Sequence, residues 1–146
     1  MTLEEQLIRD EGEVLHLYYD DLGVPTIGIG CNLRDVRVPQ DLAAQITITP
    51  GASRALFLLR LADAKRELAA GLPWTVNLDD ARRDALYNLC FNMGLGGLRA
   101  FTRMLAAMEH GDYARAAVEL LDSRYATQVG ARAQRLALQI RTGERQ

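Results

Sequence analysis

The chain has 146 residues, 49% of them apolar and 25% charged, with a formal net charge of −2. This length suits one domain, or two lobes sharing a helix, and the composition is that of a folded globular protein, not a disordered one. No run of 18 apolar residues offers a membrane span, Met1-Thr2-Leu3-Glu4-Glu5 lacks the basic and apolar regions of a signal peptide, and the negative balance argues against a nucleic-acid binder.

Thr2-Leu3-Glu4-Glu5 reads as a capping box. Leu3, Leu7 and Ile8 give the following helix an apolar stripe, and Gly12 is placed to end it. Glu11 falls on the same face, where burial would raise its pKa, unless it turns to solvent as a last-turn residue. Asp10 and Glu13 read as solvent-facing neighbours. Leu15–Tyr19 is strand-like, residues 21–25 are turn material, and Thr26–Leu33 resumes a strand. In that strand Ile27, Ile29 and Cys31 alternate with Thr26, Gly28 and Gly30, so one face is apolar and the other almost bare. Such glycines mark where a ligand or another backbone comes close.

Residues 34–39 read as a loop and Gln40–Ile46 as a short helix. Thr49-Pro50 starts a long helix over Ala52–Ala70, with Phe57, Leu61, Ala64 and Leu68 on one face and Gly71-Leu72-Pro73 at its end. Helices follow. The first begins at Asn77-Leu78-Asp79-Asp80, carries Ala85, Leu86, Leu89, Cys90 and Met93, and stops at Gly94. The next is striped by Leu98, Phe101, Leu105 and Met108. Gly111-Asp112 opens another, with Tyr113, Ala116, Ala117, Leu120 and Leu121 as its stripe. The last runs from about Ala131, uses Ala133, Leu136, Ala137 and Ile140, and stops near Thr142-Gly143.

Cys31 and Cys90, distant in sequence and without a leader, read as reduced thiols. His16 and His110 stand alone and no CxxC or HExxH occurs, so no metal or other cofactor is expected. The segment from Arg99 onward carries +3 and the remainder −5. That asymmetry is either a solvated face or a surface for an anionic polymer.

Glycosidic hydrolysis uses one protonated carboxyl and one ionised carboxylate, held in environments that push their pKa values apart. Glu11, helical and on an apolar face, fits the acid, and Asp20, at a polar turn beside Asp21, fits its ionised partner. The pair alone is not decisive, because any acidic surface contains such pairs. The pattern E-x8-D-x5-T, present as Glu11, Asp20 and Thr26 within DEGEVLHLYYDDLGVPTIGIG, closely resembles the phage T4-type lysozymes (endolysins), glycoside hydrolase family 24. RRDALYNLCFNMG (Arg82–Gly94), the Gly-Gly-Leu-x-x-Phe corner and DYARAAVELLDSRYATQVGARAQRLALQIRTGE (Asp112–Glu144) extend the resemblance over nearly the whole chain.

The resemblance implies an α+β, lysozyme-like and mostly helical fold with a small N-terminal three-stranded hairpin sheet. The expected organisation is one domain over residues 1–146. It has an N-terminal lobe at about 12–51, a connecting helix at about 52–70, and a helical lobe at about 74–146 with helix 3–11 packed on it. The implied activity is that of a muramidase, cleaving the β-1,4 bond between N-acetylmuramic acid and N-acetylglucosamine in bacterial peptidoglycan. Glu11 would be the general acid, with Asp20 and Thr26 activating water for inversion; Asp20 could instead stabilise a cationic transition state or act as nucleophile. Phe91 and Asn92 match cleft positions of the family, as do Asn32, Met104, Glu119, Arg124 and Gln128. Phe91 fits plain core packing equally well, and Arg124 fits either a structural ion pair or a contact to a peptide-stem carboxylate.

Two features depart from the family pattern. Cys31 stands where the T4 enzyme has a histidine, which is expected to affect stability rather than chemistry, and the acidic balance weakens attraction to an anionic wall. The expected protein is a monomer without stable membrane insertion or nucleic-acid partner. It would be made in the host cytoplasm and released to the periplasmic wall through a holin-like pore. The competing readings are a lytic transglycosylase and a non-catalytic wall-binding or nucleic-acid-binding helical module, the latter prompted by the arginines and Gly130 of Ser123–Arg135.

Overall fold

The structure, a computed structural model, describes residues 1–34 and 36–146. Asp35, inside the expected 34–39 loop, lies outside the described residues. The elements are α1 (Leu3–Glu11), β1 (Val14–Tyr19), β2 (Pro25–Gly28), β3 (Cys31–Asn32), α2 (Gln40–Ala43), α3 (Pro50–Gly71), a 3-10 turn (Pro73–Asn77), α4 (Asp80–Arg99), α5 (Thr102–Glu109), α6 (Tyr113–Leu121), α7 (Arg124–Val129) and α8 (Ala131–Thr142). This is an α+β, lysozyme-like fold, mostly helical with one small antiparallel sheet. Residues 7–63 form one compact unit, and residues 1–6 with 64–146 form a second.

In the smaller unit the strands lie in the order β1-β2-β3. Tyr18 is opposite Thr26, Thr26 opposite Asn32, and Ile27 opposite Cys31. Alternation therefore sends Leu17, Ile27 and Cys31 to one face, where they form a core with Ala43 against Tyr19, Leu33, Val38, Ile48 and Leu56. The expected continuous strand over Thr26–Leu33 is instead two short strands joined at Ile29-Gly30. The reason is conformational: Gly28 (φ +68°) and Gly30 (φ +58°) occupy the left-handed region, which turns the chain back on itself. Gly28 also lies so close to the start of α3 that a Cβ there would meet Ser53 Oγ at 3.0 Å.

Asp10 is not solvent-facing as expected: its side chain is only 1% exposed and pairs with Arg9 at 3.1 Å. The short helix ends at Ala43, earlier than the expected Ile46.

The capping box at the start of α1 is formed in both directions. Thr2 N donates to Glu5 Oε2 at 2.7 Å, and Glu5 N donates to Thr2 Oγ1 at 3.2 Å. One turn later Gln6 is buried in the larger unit, where its Nε2 donates to Gln139 Oε1 (2.8 Å) and to the Gln146 carbonyl (2.9 Å).

The core of the larger unit is built from Leu68, Leu86, Leu89, Leu98, Met104, Met108, Leu120 and Ile140, all essentially inaccessible to solvent. Asp79 caps α4 by accepting from Arg82 N at 2.9 Å. Gly94 (φ +75°, ψ 167°) breaks the helical geometry of α4, so Leu98 sits in the corner segment and α5 starts at Thr102. Leu121, expected in the α6 stripe, is instead exposed. Helix α7 was absent from the expected helices because none of its residues is buried, which leaves no apolar stripe to read.

The arginines of this unit are largely fasteners. Arg82 donates to the Ile140 and Arg141 carbonyls at 2.7 and 3.0 Å and lies 3.7 Å over the Tyr113 ring. Buried Arg132 donates twice to Asn88 Oδ1, at 3.0 and 2.8 Å. Arg145 pairs with Asp84 at 2.7 Å. Of the arginines from Arg99 onward that make the basic excess, Arg132 and Arg145 are held in this way.

Candidate active site

Glu11 is the last residue of α1, and Gly12 (φ +69°) turns the chain sharply after it. Its half-buried carboxyl packs directly on the bare backbone of the β2–β3 turn. A Cβ on Gly30 would meet Glu11 Oε2 at 2.7 Å and Cδ at 2.9 Å. The glycine therefore serves both the turn and the seat of the acid.

Asp20 follows β1 directly and closes the hairpin. Its Oδ1 accepts from Leu22 N and Val24 N, both at 2.9 Å, while its backbone N donates to the Val24 carbonyl at 3.0 Å. Among the described residues Oδ2 receives no hydrogen bond, and it is the oxygen available to a ligand. Neighbouring Asp21 is exposed and caps nothing among the described residues.

Thr26 lies at the centre of the sheet and is 5% exposed. Its hydroxyl donates to the Val24 carbonyl at 3.0 Å. With the proton held there, the oxygen faces any guest as an acceptor.

Residues opposite one another in an antiparallel ladder share a face. Tyr18, Thr26 and Asn32 thus form a polar row across all three strands, on the face away from Cys31. Tyr18 was missed in the sequence, although counting back across the Asp20–Val24 turn pairs it with Thr26. Burial, and then the negative carboxylates of Glu11 and Asp20, push its phenol above the ordinary tyrosine value. Tyr18 is therefore within electrostatic reach of both acids. The Oδ1 of Asn32 is buried without a hydrogen-bond partner among the described residues.

Glu11, Asp20, Thr26 and Asn32 all belong to the unit of residues 7–63, and the other six candidates belong to the larger unit. There Phe91 is half-buried against the core, whereas Asn92, Arg124 and Gln128 are exposed. Glu119 pairs with Arg115 at 2.6 Å. Met104 is a core residue, 1% exposed, and offers a sugar no surface to touch.

Cys31 is likewise core, and burial raises its thiol pKa. Among the described residues no group of three or more His, Cys, Asp and Glu could hold a metal ion, and no helix is long and apolar enough to cross a membrane. A cavity of about 550 Å³ lined by Tyr19, Pro25, Arg34, Arg37 and their neighbours contains none of the three candidate catalytic residues.

The family model described as phage lysozyme matches residues 9–142. The chain is 35% identical to the pre-baseplate central spike protein Gp5 of Enterobacteria phage T4, in a match covering 98% of this chain and 28% of that protein. It is also 29% and 30% identical to the probable T4-type lysozymes 1 and 2 of Dictyostelium discoideum, covering 97% of this chain and 95% of each relative. The family match spans almost the entire chain, including the hairpin just described: the chain belongs to the phage lysozyme family, a family of glycoside hydrolases.

Proposed function

We propose that the chain is a muramidase that hydrolyses the β-1,4 bond between N-acetylmuramic acid and N-acetylglucosamine in peptidoglycan, with inversion. The observation that carries this reading is the division of labour between two acids and one hydroxyl. Glu11 rests half-buried on the Gly30 backbone, while Asp20 and Thr26, on either side of the Val24 end of the hairpin, each keep an acceptor oxygen that no described residue occupies. A water donating one hydrogen to Asp20 Oδ2 and the other to Thr26 Oγ1 keeps a lone pair free for the anomeric carbon. Glu11 protonates the departing glycosidic oxygen, Asp20 takes the proton of the attacking water, and inversion requires about 6.5–9.5 Å between the two carboxyls to admit it. Asn32 continues the row beneath the sugar chain.

In this reading the protein acts as a monomeric endolysin, needs no cofactor, and reaches the wall through a holin-like pore to lyse the host. A second role is favoured by the match to the T4 spike protein: the same domain carried by a phage tail to open the wall from outside.

The test is product analysis of digested peptidoglycan by mass spectrometry. A reducing muramic end supports hydrolysis, and an anhydro end would make the enzyme a lytic transglycosylase. Addition from outside to intact cells, against expression inside them with and without a pore, separates the two biological roles.

A further inference from the structure

The polar row contains a donor that the protein itself does not use. The Thr26 proton goes to the Val24 carbonyl, and one Asp20 oxygen already holds two backbone amides. Tyr18, directly across the ladder from Thr26, makes no hydrogen bond from its hydroxyl to any described residue. Its ring is flanked edge-on by His16, with centroids 6.5 Å apart at 72°. Its hydroxyl is not among the buried polar atoms left without partners, so it stands open to a guest.

We propose that Tyr18 is a substrate-contacting specificity residue, whose phenol donates a hydrogen bond to the acetamido carbonyl oxygen of the sugar lying over Thr26. This rests on the peptidoglycan reading above. Among the neutral acceptors of an N-acetylated glycan, an amide carbonyl is stronger than a hydroxyl or ring ether. The ionised Asp20 lines this site, and its negative charge disfavours a carbonyl oxygen unless a donor stands between them. Burial first, and then the charge of Asp20, keep the phenol protonated, so it remains a donor wherever the acids are working. A neutral donor–acceptor pair also avoids stripping water from an ion.

The experiment compares the wild type with Tyr18→Phe, which keeps the ring and the ladder, on walls with graded chemical removal of N-acetyl groups. On the fully acetylated wall Tyr18→Phe lowers kcat/KM about tenfold, chiefly through KM, as expected for one lost hydrogen bond. The two enzymes converge as acetyl groups are removed, because the phenol then has no carbonyl to reach. A constant ratio across the series, or equal rates throughout, overturns the proposal. Glu11→Gln is measured in parallel, because undiminished release of reducing ends by that variant overturns the muramidase reading itself, whatever Tyr18 does.

Discussion

Glu11 and Gly30 are in direct contact, the acid's carboxyl filling the space that a side chain at position 30 would need. Gly30→Ala therefore meets two penalties, a left-handed φ of +58° and a displaced acid. The expected result is a loss of about 1–3 kcal/mol in stability together with roughly a hundredfold loss in kcat. Denaturant melts and reducing-end assays on one preparation would read both. A variant that melts earlier yet turns over normally would show that the carboxyl tolerates displacement.

Glu11→Gln removes the transferable proton while keeping shape and packing. Release of reducing ends should fall by about 10²–10⁴-fold. The circular dichroism spectrum and melting curve should stay near those of the parent.

Asp20 holds the hairpin and, in the proposed mechanism, the water, and two substitutions separate these roles. Asp20→Asn retains an Oδ1 able to accept from Leu22 N and Val24 N, so activity should collapse while the melt barely moves. Asp20→Ala should lose activity and also about 1–2 kcal/mol of stability. Asp21→Asn should affect neither, and severe inactivation of that variant would transfer the role to Asp21.

The Cys90 thiol is buried, with Sγ 3.7 Å from the Ala64 carbonyl, and burial followed by the charge of Glu67 pushes its pKa up to about 11 from the ordinary thiol value of 9.0. The folded state therefore keeps this proton at pH values where the unfolded chain has released it. Its contribution to stability is complete below pH 9 and is lost as pH rises from 9 toward 11. Urea melts at pH 8 and pH 10.5 should show a steeper fall for the wild type than for Cys90→Ala. Parallel falls would remove the thiol from the account.

Arg82 joins the start of α4 to the end of α8 and covers the Tyr113 ring. Arg82→Ala leaves two helix-end carbonyls without a donor and uncovers an aromatic face. The expected cost is about 2–4 kcal/mol, measured by denaturant melts, with kcat unchanged in the surviving fold.

Local rules account for what could be read directly from the chain. The Thr2/Glu5 capping box needs only four residues, and α8 ends on Gly143 in the left-handed conformation as its sequence indicates. Glu11, Asp20 and Thr26 stood out because their spacing repeats a known pattern. Features set by pairing were hidden. Tyr18 and Tyr19 are the same residue type, and only the register decides which faces Thr26 and which joins the core. The break between β2 and β3 was invisible because glycine fits a strand or a turn alike. Asp10 looked like a surface acid because nothing in its neighbourhood announces that its side chain is covered.

The bond from Gln6 to Gln139 spans 133 residues, and it joins the first helix to the last. During synthesis at about 5–20 residues per second, Gln139 is made roughly 7–27 s after Gln6. Throughout that interval the amide of Gln6 and the apolar side chain of Leu3, both buried in the finished protein, have no completed unit to enter. The Leu3–Gln6 turn of α1 is thus translated well before the partners that seat it. The larger unit cannot close until α8 has cleared the ribosome, while every residue of the 7–63 unit is already made by then. A chain stalled before α8 is made should therefore carry a formed hairpin together with an open, aggregation-prone set of helices.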